Sequence, residues 1–457
     1  MKILFTILLA LYSFANFAQY QVGHTTITFN DPTRTGGTGS GGGPGRQIQT
    51  EIYYPASSAG DNVAVVAGQF PVITFGHGFS MPWSAYQNIW ERYAAKGYIL
   101  AFVKTESGPG APVHSQLGLD LRLVAQKMKD LNTNTSSIFS GKVLQKVAVM
   151  GHSMGGGASF LAAANNSAID AVVGMAPAET SDTSAIARAP FVSVPALIFS
   201  GDGDAATPPV DHHIPIYNGV GSSCKNFVSI TGGGHCYFAI DNFICNLGEG
   251  SSTITITRQE QQDRTYAILD PWLDYILKGN CDAYAAFQTA LSTTSGTVGQ
   301  TTCPSVSPVS INGNAASLLA STTGVSYQWY LNGSPISGAT SQNYTATASG
   351  DYTVKVTYSY GCATSAPYTY STGTSGIEEM MKSIQTFPNP AKDFLTVKNN
   401  SGLETIYRLL DINGRVLLET KSISSEFQLD VRKFEKGNYL LQIDNLNGRK
   451  TTKLVKD

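Results

Sequence analysis

The chain has 457 residues, with 30 Lys and Arg against 32 Asp and Glu, and a formal net charge of −2 at pH 7. Charged residues make up 14%, well below the roughly 25% of an average soluble protein. No basic patch forms before the last segment, so nucleic acid is not an expected partner, and the length suits about three domains.

Lys2, the apolar run Ile3 to Ala15 and the small residues Ala15 and Ala18 read as a secretory signal peptide over residues 1–18. The run is too short to span a bilayer comfortably. Export favours disulfides, and the chain has six cysteines.

Residues 19–283 alternate between strand and helix patterns, which predicts an α/β fold with a mostly parallel central sheet and helices on both faces. Gly36 to Gly45 is a flexible glycine-rich loop; Arg46-Gln47-Ile48 follows it, with no helix on which a phosphate could rest. Ile48 to Tyr54 and Phe70 to Phe75 read as strands. Ser84 is expected to cap a helix that buries Tyr86, Trp90 and Ala94 and ends at Gly97. Tyr98 to Val103 is the next strand, and His114 to Leu131 a helix with Leu117, Leu121 and Val124 on one face. Val147 to Met150, Ala171 to Met175, Pro195 to Ser200 and Asn226 to Thr231 are further strands. Gln259 to Leu277 closes the domain as a helix.

Composition shifts near residue 284. From there to Gly376 the charged residues are Asp351 and Lys355 alone. Residues 284–302 read as a linker. Residues 303–372 carry short alternating strands around Tyr327-Gln328-Trp329-Tyr330 and Tyr352 to Val356, with an Asn332-Gly333 turn. The wording "YQWYLNG…ISGAT…YTATASGDYTV" resembles Ig-like or PKD-like β-sandwich modules. A second linker is expected at 373–382. Residues 383–457 regain charge and contain Phe387-Pro388-Asn389-Pro390-Ala391, Leu409 to Val416, Lys436 to Leu440 and Lys453 to Lys456. These spaced motifs resemble the all-β C-terminal sorting domain of the Bacteroidetes type IX secretion system. The resemblance implies that machinery as a partner, passage through the outer membrane, and a secreted or cell-surface protein.

Six cysteines allow 15 connectivities. Cys303 and Cys362 are expected to pair beyond the catalytic region. Cys236 and Cys245 are close enough to staple one loop. Cys224 opens a strand and Cys281 ends the closing helix, which would place those two at one end of the sheet.

The chemistry centres on Gly151-His152-Ser153-Met154-Gly155, between the strand pattern at 147–150 and the helix pattern from Gly156. Strand, G-x-S-x-G, helix is the pattern of a nucleophile elbow. It needs glycine where the turn leaves no room for a side chain, and it exposes the Ser153 hydroxyl. The acid should follow the second strand after the elbow, which makes Asp204 the candidate, with Asp202 as alternative. The base should lie beyond the last strand, where His235 follows Gly232-Gly233-Gly234. A lone loop histidine is usually a surface residue, but the chain order Ser, Asp, His selects this one. His152 is expected to point away from Ser153, and His212 and His213 follow the acid too closely to serve. Oxyanion donors would be the backbone N–H groups of Met154 and Phe79.

Residues 70–280 resemble the cutinase and bacterial polyesterase branch of the α/β-hydrolases. The motifs are "GHGF…YQNIWERYAAKGYILAFVKT", "GHSMGGG", "PALIFSGDGDAATPPV" and "KNFVSITGGGHC". The opening "VGHTTITFNDPTR…IQTEIYYPA" is also similar to lipases of the platelet-activating-factor acetylhydrolase type. The polyesterase resemblance implies that Phe79 and Met154 line the acyl site. Where polyesterases often carry a tryptophan, Ala178 follows Ala176-Pro177. The expected activity is that of a monomeric serine ester hydrolase for short acyl or polymeric esters. The alternatives are a lipid or carbohydrate acyl esterase, and a non-catalytic surface binding protein. No cofactor is implied, and His212, His213 and Asp204 match no structural zinc pattern.

Overall fold

A computed structural model describes residues 20–108, 110, 112–314, 316–358, 361–371, 384–399, 402–445 and 448–457. The expected signal peptide at 1–18 and the expected linker at 373–382 lie outside the described residues. The chain divides into two compact units. The first holds the residues up to Ser310 together with 322–328 and 354–365, and the second holds the rest.

The first unit is built on a mixed sheet. Its long strands are β1 (Gln21–Asp31), β2 (Arg46–Ala56), β3 (Phe70–Gly76), β4 (Ile99–Val103), β5 (Val143–His152), β6 (Ala171–Met175), β7 (Ala196–Gly201), β8 (Lys225–Ile230) and β9 (Thr297–Thr301). Their spatial order is β9-β8-β7-β6-β5-β3-β4-β2-β1. The run from β8 to β4 is parallel, and the antiparallel strands lie at the two sides. Parallel strands are covered on both faces, so their sequences are continuously apolar. In β5, Val147 and Val149 pack to one face while Ala148 and Met150 pack to the other.

Helices α1 (Gln87–Ala95), α2 (His114–Asp130), α3 (Met154–Ala163), α4 (His213–Gly219), α5 (Arg258–Lys278) and α6 (Cys281–Thr293) follow in chain order. Leu117, Leu121 and Val124 of α2 join Ala158 and Phe160 of α3 in the core on one face. Ile89, Tyr93 and Ala94 of α1 join Leu269, Trp272 and Leu273 of α5 on the other. Thr257 and Glu260 close a capping box at the start of α5. Ser84 does not cap α1; it lies within a 3₁₀ turn, Trp83–Tyr86, that precedes the helix.

Two expectations are corrected here. Residues 284–302 are not a linker. Ala283, Phe287 and Leu291 recur at four-residue spacing and are buried in α6, and the chain then adds β9 antiparallel to β8. The low charge of this stretch masked an ordinary amphipathic pattern. The disulfides also differ from those expected: Cys224 joins Cys303 and Cys281 joins Cys362, while Cys236 does join Cys245. The first follows from β9. Asn226 pairs with Thr301, which carries Cys303 back beside Cys224. Cys281 opens α6 rather than ending α5, because Gly279 terminates α5 in the left-handed conformation with φ 63°.

In the second unit, Ile311–Asn314, Ser317–Ala320 and Asn343–Thr345 form a three-stranded antiparallel sheet. Trp329 is fully buried, its indole N–H donating to the Ser341 carbonyl at 2.9 Å. Toward the C-terminus, Gln385–Phe387, Phe394–Lys398 and Glu426–Asp430 form one antiparallel sheet, and strands between Thr405 and Lys456 form another. Leu395, Val397, Tyr407, Leu409, Leu441 and Ile443 make their core.

Candidate active site

Ser153 stands between β5 and α3 with φ 55° and ψ −121°. A non-glycine residue held there costs on the order of 1–3 kcal/mol. Three glycines make the turn possible. A Cβ on Gly151 would lie 2.2 Å from the Gly155 oxygen, and one on Gly155 would lie 2.1 Å from the Gly76 oxygen. The Ser153 N–H donates to the Met175 carbonyl at 3.0 Å, and its own carbonyl accepts from Ala178 N–H at 2.9 Å. Both bonds fix the turn against the end of β6.

Asp204 lies beyond β7 and His235 beyond β8, on neighbouring parallel strands. The Asp204 Oδ2 accepts from His235 Nδ1 at 2.8 Å and from Thr207 Oγ1 at 2.9 Å, while Oδ1 accepts the Thr207 N–H at 2.8 Å. All three residues are buried. Burial pushes the Asp204 carboxyl upward, but the hydrogen bond and charge of His235 and the Thr207 N–H together outweigh it and hold the group below the usual carboxylate range. A carboxylate only accepts, so the network places the hydrogen on His235 Nδ1 and leaves the Nε2 lone pair free. Among the described residues, neither Ser153 Oγ nor His235 Nε2 has a hydrogen-bond partner. Asp202 serves elsewhere: its Oδ1 accepts the Gly232 N–H at 2.7 Å.

Sequence reading passed over several residues around this pair. His213, set aside as too near the acid, is buried with Nδ1 at 2.8 Å from Ser200 Oγ and Nε2 at 3.0 Å from Thr207 Oγ1. Burial pushes its pKa down to about 3, so it is neutral near pH 7 and donates through Nε2 to the threonine that holds Asp204. Thr207 was legible in principle, since an Asp three residues before a Thr is a local side-chain-to-backbone motif. Gln261 on α5 clamps the loop that carries His235. It accepts the Gly234 N–H and donates to the Gly234 carbonyl, both at 2.9 Å. The disulfide from Cys236 to Cys245 closes the loop after His235. No sequence signal marked His213 or Gln261.

His152 sits beside His235. Its ring centroid is 4.7 Å from that of His235, and its Nε2 is 2.9 Å from the His235 carbonyl oxygen. On the oxyanion side, Met154 is buried at the start of α3, and Phe79 is 50% exposed. The first N–H groups of a helix have no intrahelical acceptor, which leaves that of Met154 available. Among the described residues no protein acceptor takes the Phe79 N–H.

A largely parallel sheet whose strand ends present a serine elbow, an aspartate and a histidine in that chain order defines the α/β-hydrolase class. Within that class the chain belongs to the PET hydrolase-like family, whose model matches residues 21–256. Residues 385–457 match a second model, the secretion system C-terminal sorting domain. The chain is 28% identical over 186 residues to a bis(hydroxyethyl) terephthalate hydrolase of Streptomyces coelicolor, covering 41% of this chain and 52% of that protein. It thus spans about half the length of that relative. It is also 24% identical over 214 residues to cutinase 2 of Thermobifida cellulosilytica, covering 47% of this chain and 72% of that one. With cutinase est1 of Thermobifida alba it shares 25% identity over 201 residues, 44% of this chain and 60% of that one.

Proposed function

We propose that the chain is an exported serine ester hydrolase of polyester or cutin-like substrates, with Ser153 as nucleophile, His235 as general base and Asp204 as its orienting acid. The single observation that carries this is the buried Asp204–His235 hydrogen bond of 2.8 Å, set beyond β7 and β8 in the same parallel run of strands as the serine elbow after β5, in a PET hydrolase-like chain. His235 Nε2 takes the Ser153 proton as Oγ bonds to the ester carbonyl carbon. The carbonyl oxygen becomes an oxyanion, received by the N–H groups of Met154 and Phe79. Collapse breaks the bond to the leaving alkoxide, which takes the proton back from His235, and an acyl-Ser153 remains. Water, deprotonated by His235, then releases the acid and restores Ser153. Asp204 holds the imidazole tautomer and stabilises the imidazolium throughout.

Several exposed apolar side chains support a polymeric ester over a soluble one. Phe79 is half exposed, and Phe243, Ile244 and Leu247 are exposed on the short helix stapled by Cys245 to the residue after His235. Ala178, where the resemblance would favour tryptophan, leaves that wall of the cleft less aromatic. Aliphatic polyesters are therefore favoured over terephthalate esters. The signal peptide and the sorting domain together fit export through the type IX route.

The test is product release from an aliphatic polyester film, a terephthalate polyester film, acetylated xylan and p-nitrophenyl acyl esters, by wild type and by Ser153→Ala. Release from the aliphatic film that vanishes with Ser153→Ala supports the reading. Equal rates for the two proteins on every substrate would exclude it.

A further inference from the structure

We infer that Tyr86 and His152 are positioning residues that lock the oxyanion loop and the backbone of the catalytic base into one register. The inference rests on the serine esterase reading above and deepens it. The Gly78 N–H lies 2.7 Å from Tyr86 Oη, which lies 2.9 Å from His152 Nδ1, and His152 Nε2 lies 2.9 Å from the His235 carbonyl oxygen. Tyr86 and His152 are fully buried.

The direction of every proton in this chain follows from its ends. The His235 carbonyl can only accept, so His152 Nε2 carries the hydrogen. In a neutral imidazole Nδ1 is then the acceptor, so the Tyr86 hydroxyl donates to it. The Tyr86 oxygen keeps its lone pairs for the Gly78 N–H. Met81 Sδ, 3.2 Å from the same oxygen, is the weaker acceptor. Burial holds His152 well below the ordinary histidine range, and the neighbouring His235 lowers it further, in keeping with the neutral ring that the geometry demands. A charged ring with its centroid 4.7 Å from that of His235 would oppose the imidazolium that the reaction forms there.

The line therefore joins three separate segments: the loop after β3 that carries Gly78 and Phe79, the elbow residue beside Ser153, and the loop that carries His235. Gly78 immediately precedes the proposed donor Phe79. A Cβ on Gly78 would meet His152 Nδ1 at 3.2 Å and Tyr86 Oη at 3.2 Å, so the backbone sits directly against the pair. Neither Tyr86 nor His152 is placed to contact the reacting atoms. They act through the peptide before Phe79 and through the backbone of His235.

The experiment compares kcat and KM for a p-nitrophenyl ester among wild type, Tyr86→Phe, His152→Gln, His152→Leu and Ser153→Ala, with thermal midpoints alongside. Displacements of this kind cost on the order of 10-fold to 100-fold in rate. Tyr86→Phe is expected to lower kcat by that factor with KM within about threefold. His152→Gln, which keeps an amide donor near the His235 carbonyl, should retain about tenfold more kcat than His152→Leu. If Tyr86→Phe fails to fold, the two His152 variants decide by themselves. A kcat within twofold of wild type for Tyr86→Phe, a change in KM alone, or equal losses in His152→Gln and His152→Leu would each overturn the inference. Ser153→Ala separates the two claims, because full activity in that variant would remove the esterase reading itself.

Discussion

Replacing His213 with Gln tests whether the buried histidine behind the candidate acid is held neutral. Burial places its folded-state pKa at about 3, against about 6.5 in an unfolded chain. As pH falls below about 6.5, the unfolded chain takes up a proton that the folded protein refuses, so stability is lost. The contribution of His213 is therefore complete above about pH 6.5 and declines until about pH 3. Each pH unit in that window is worth about 1.4 kcal/mol, so about 2.7 kcal/mol is gone two units below the unfolded pKa. His152, also held neutral by burial, adds in the same direction in both proteins and cancels in the comparison. His213→Gln loses two buried hydrogen bonds at neutral pH, an offset of about 1–3 kcal/mol, but it also loses this titration. Urea unfolding followed by tryptophan fluorescence, at steps between about pH 7 and about pH 4.5, should give wild type a slope steeper by about 1.4 kcal/mol per pH unit. The two stability curves should converge as pH falls. Parallel curves would refute the buried neutral histidine.

Asp204→Asn should lower kcat about 10³–10⁴-fold with little change in KM, since the imidazole loses its tautomer partner, whereas Asp202→Asn should stay within about threefold because Asp202 holds only the Gly232 N–H; steady-state kinetics on one soluble ester separates them. Asp120 is fully buried against Arg46, 2.8 Å from Nη2, and accepts from Thr105 Oγ1 at 2.6 Å. Asp120→Ala removes one of the two carboxylates that hold the buried Arg46, leaving Glu106 2.7 Å from its Nη2, and should cost about 1.5–3 kcal/mol in urea unfolding. Cys236→Ala with Cys245→Ala opens a loop of nine residues' separation. It should cost about 2–3 kcal/mol by loop entropy, read as faster thermal inactivation of esterase activity.

The parts of this molecule legible in its sequence are those set by local rules. Continuous apolar runs marked the parallel strands because both faces of the sheet are covered. The spacing of Gly151 and Gly155 around Ser153 marked the elbow because the backbone contacts there exclude a Cβ. The juxtaposition of Asp204 and His235 was foreseeable because each follows a strand that ends at the same edge of the sheet. What escaped the sequence depends on contacts between distant segments. Strand Thr297–Thr301 looks like a linker until it pairs with Lys225–Ile230, and that pairing alone decides the partner of Cys224. His213, Gln261 and the Tyr86–His152 pair act through bonds that reach up to 83 residues along the sequence. No periodicity encodes such a bond, nor the placing of the His152 ring beside that of His235.

The central claim is a covalent one, that an acyl group passes through Ser153. A fluorophosphonate probe reacts with an activated serine and stays on it, and peptide mass mapping locates the adduct. The account predicts one adduct per chain on Ser153, lost in Ser153→Ala and strongly slowed in His235→Ala, with ester hydrolysis falling in parallel. An adduct on another residue, or undiminished hydrolysis by Ser153→Ala, would contradict it.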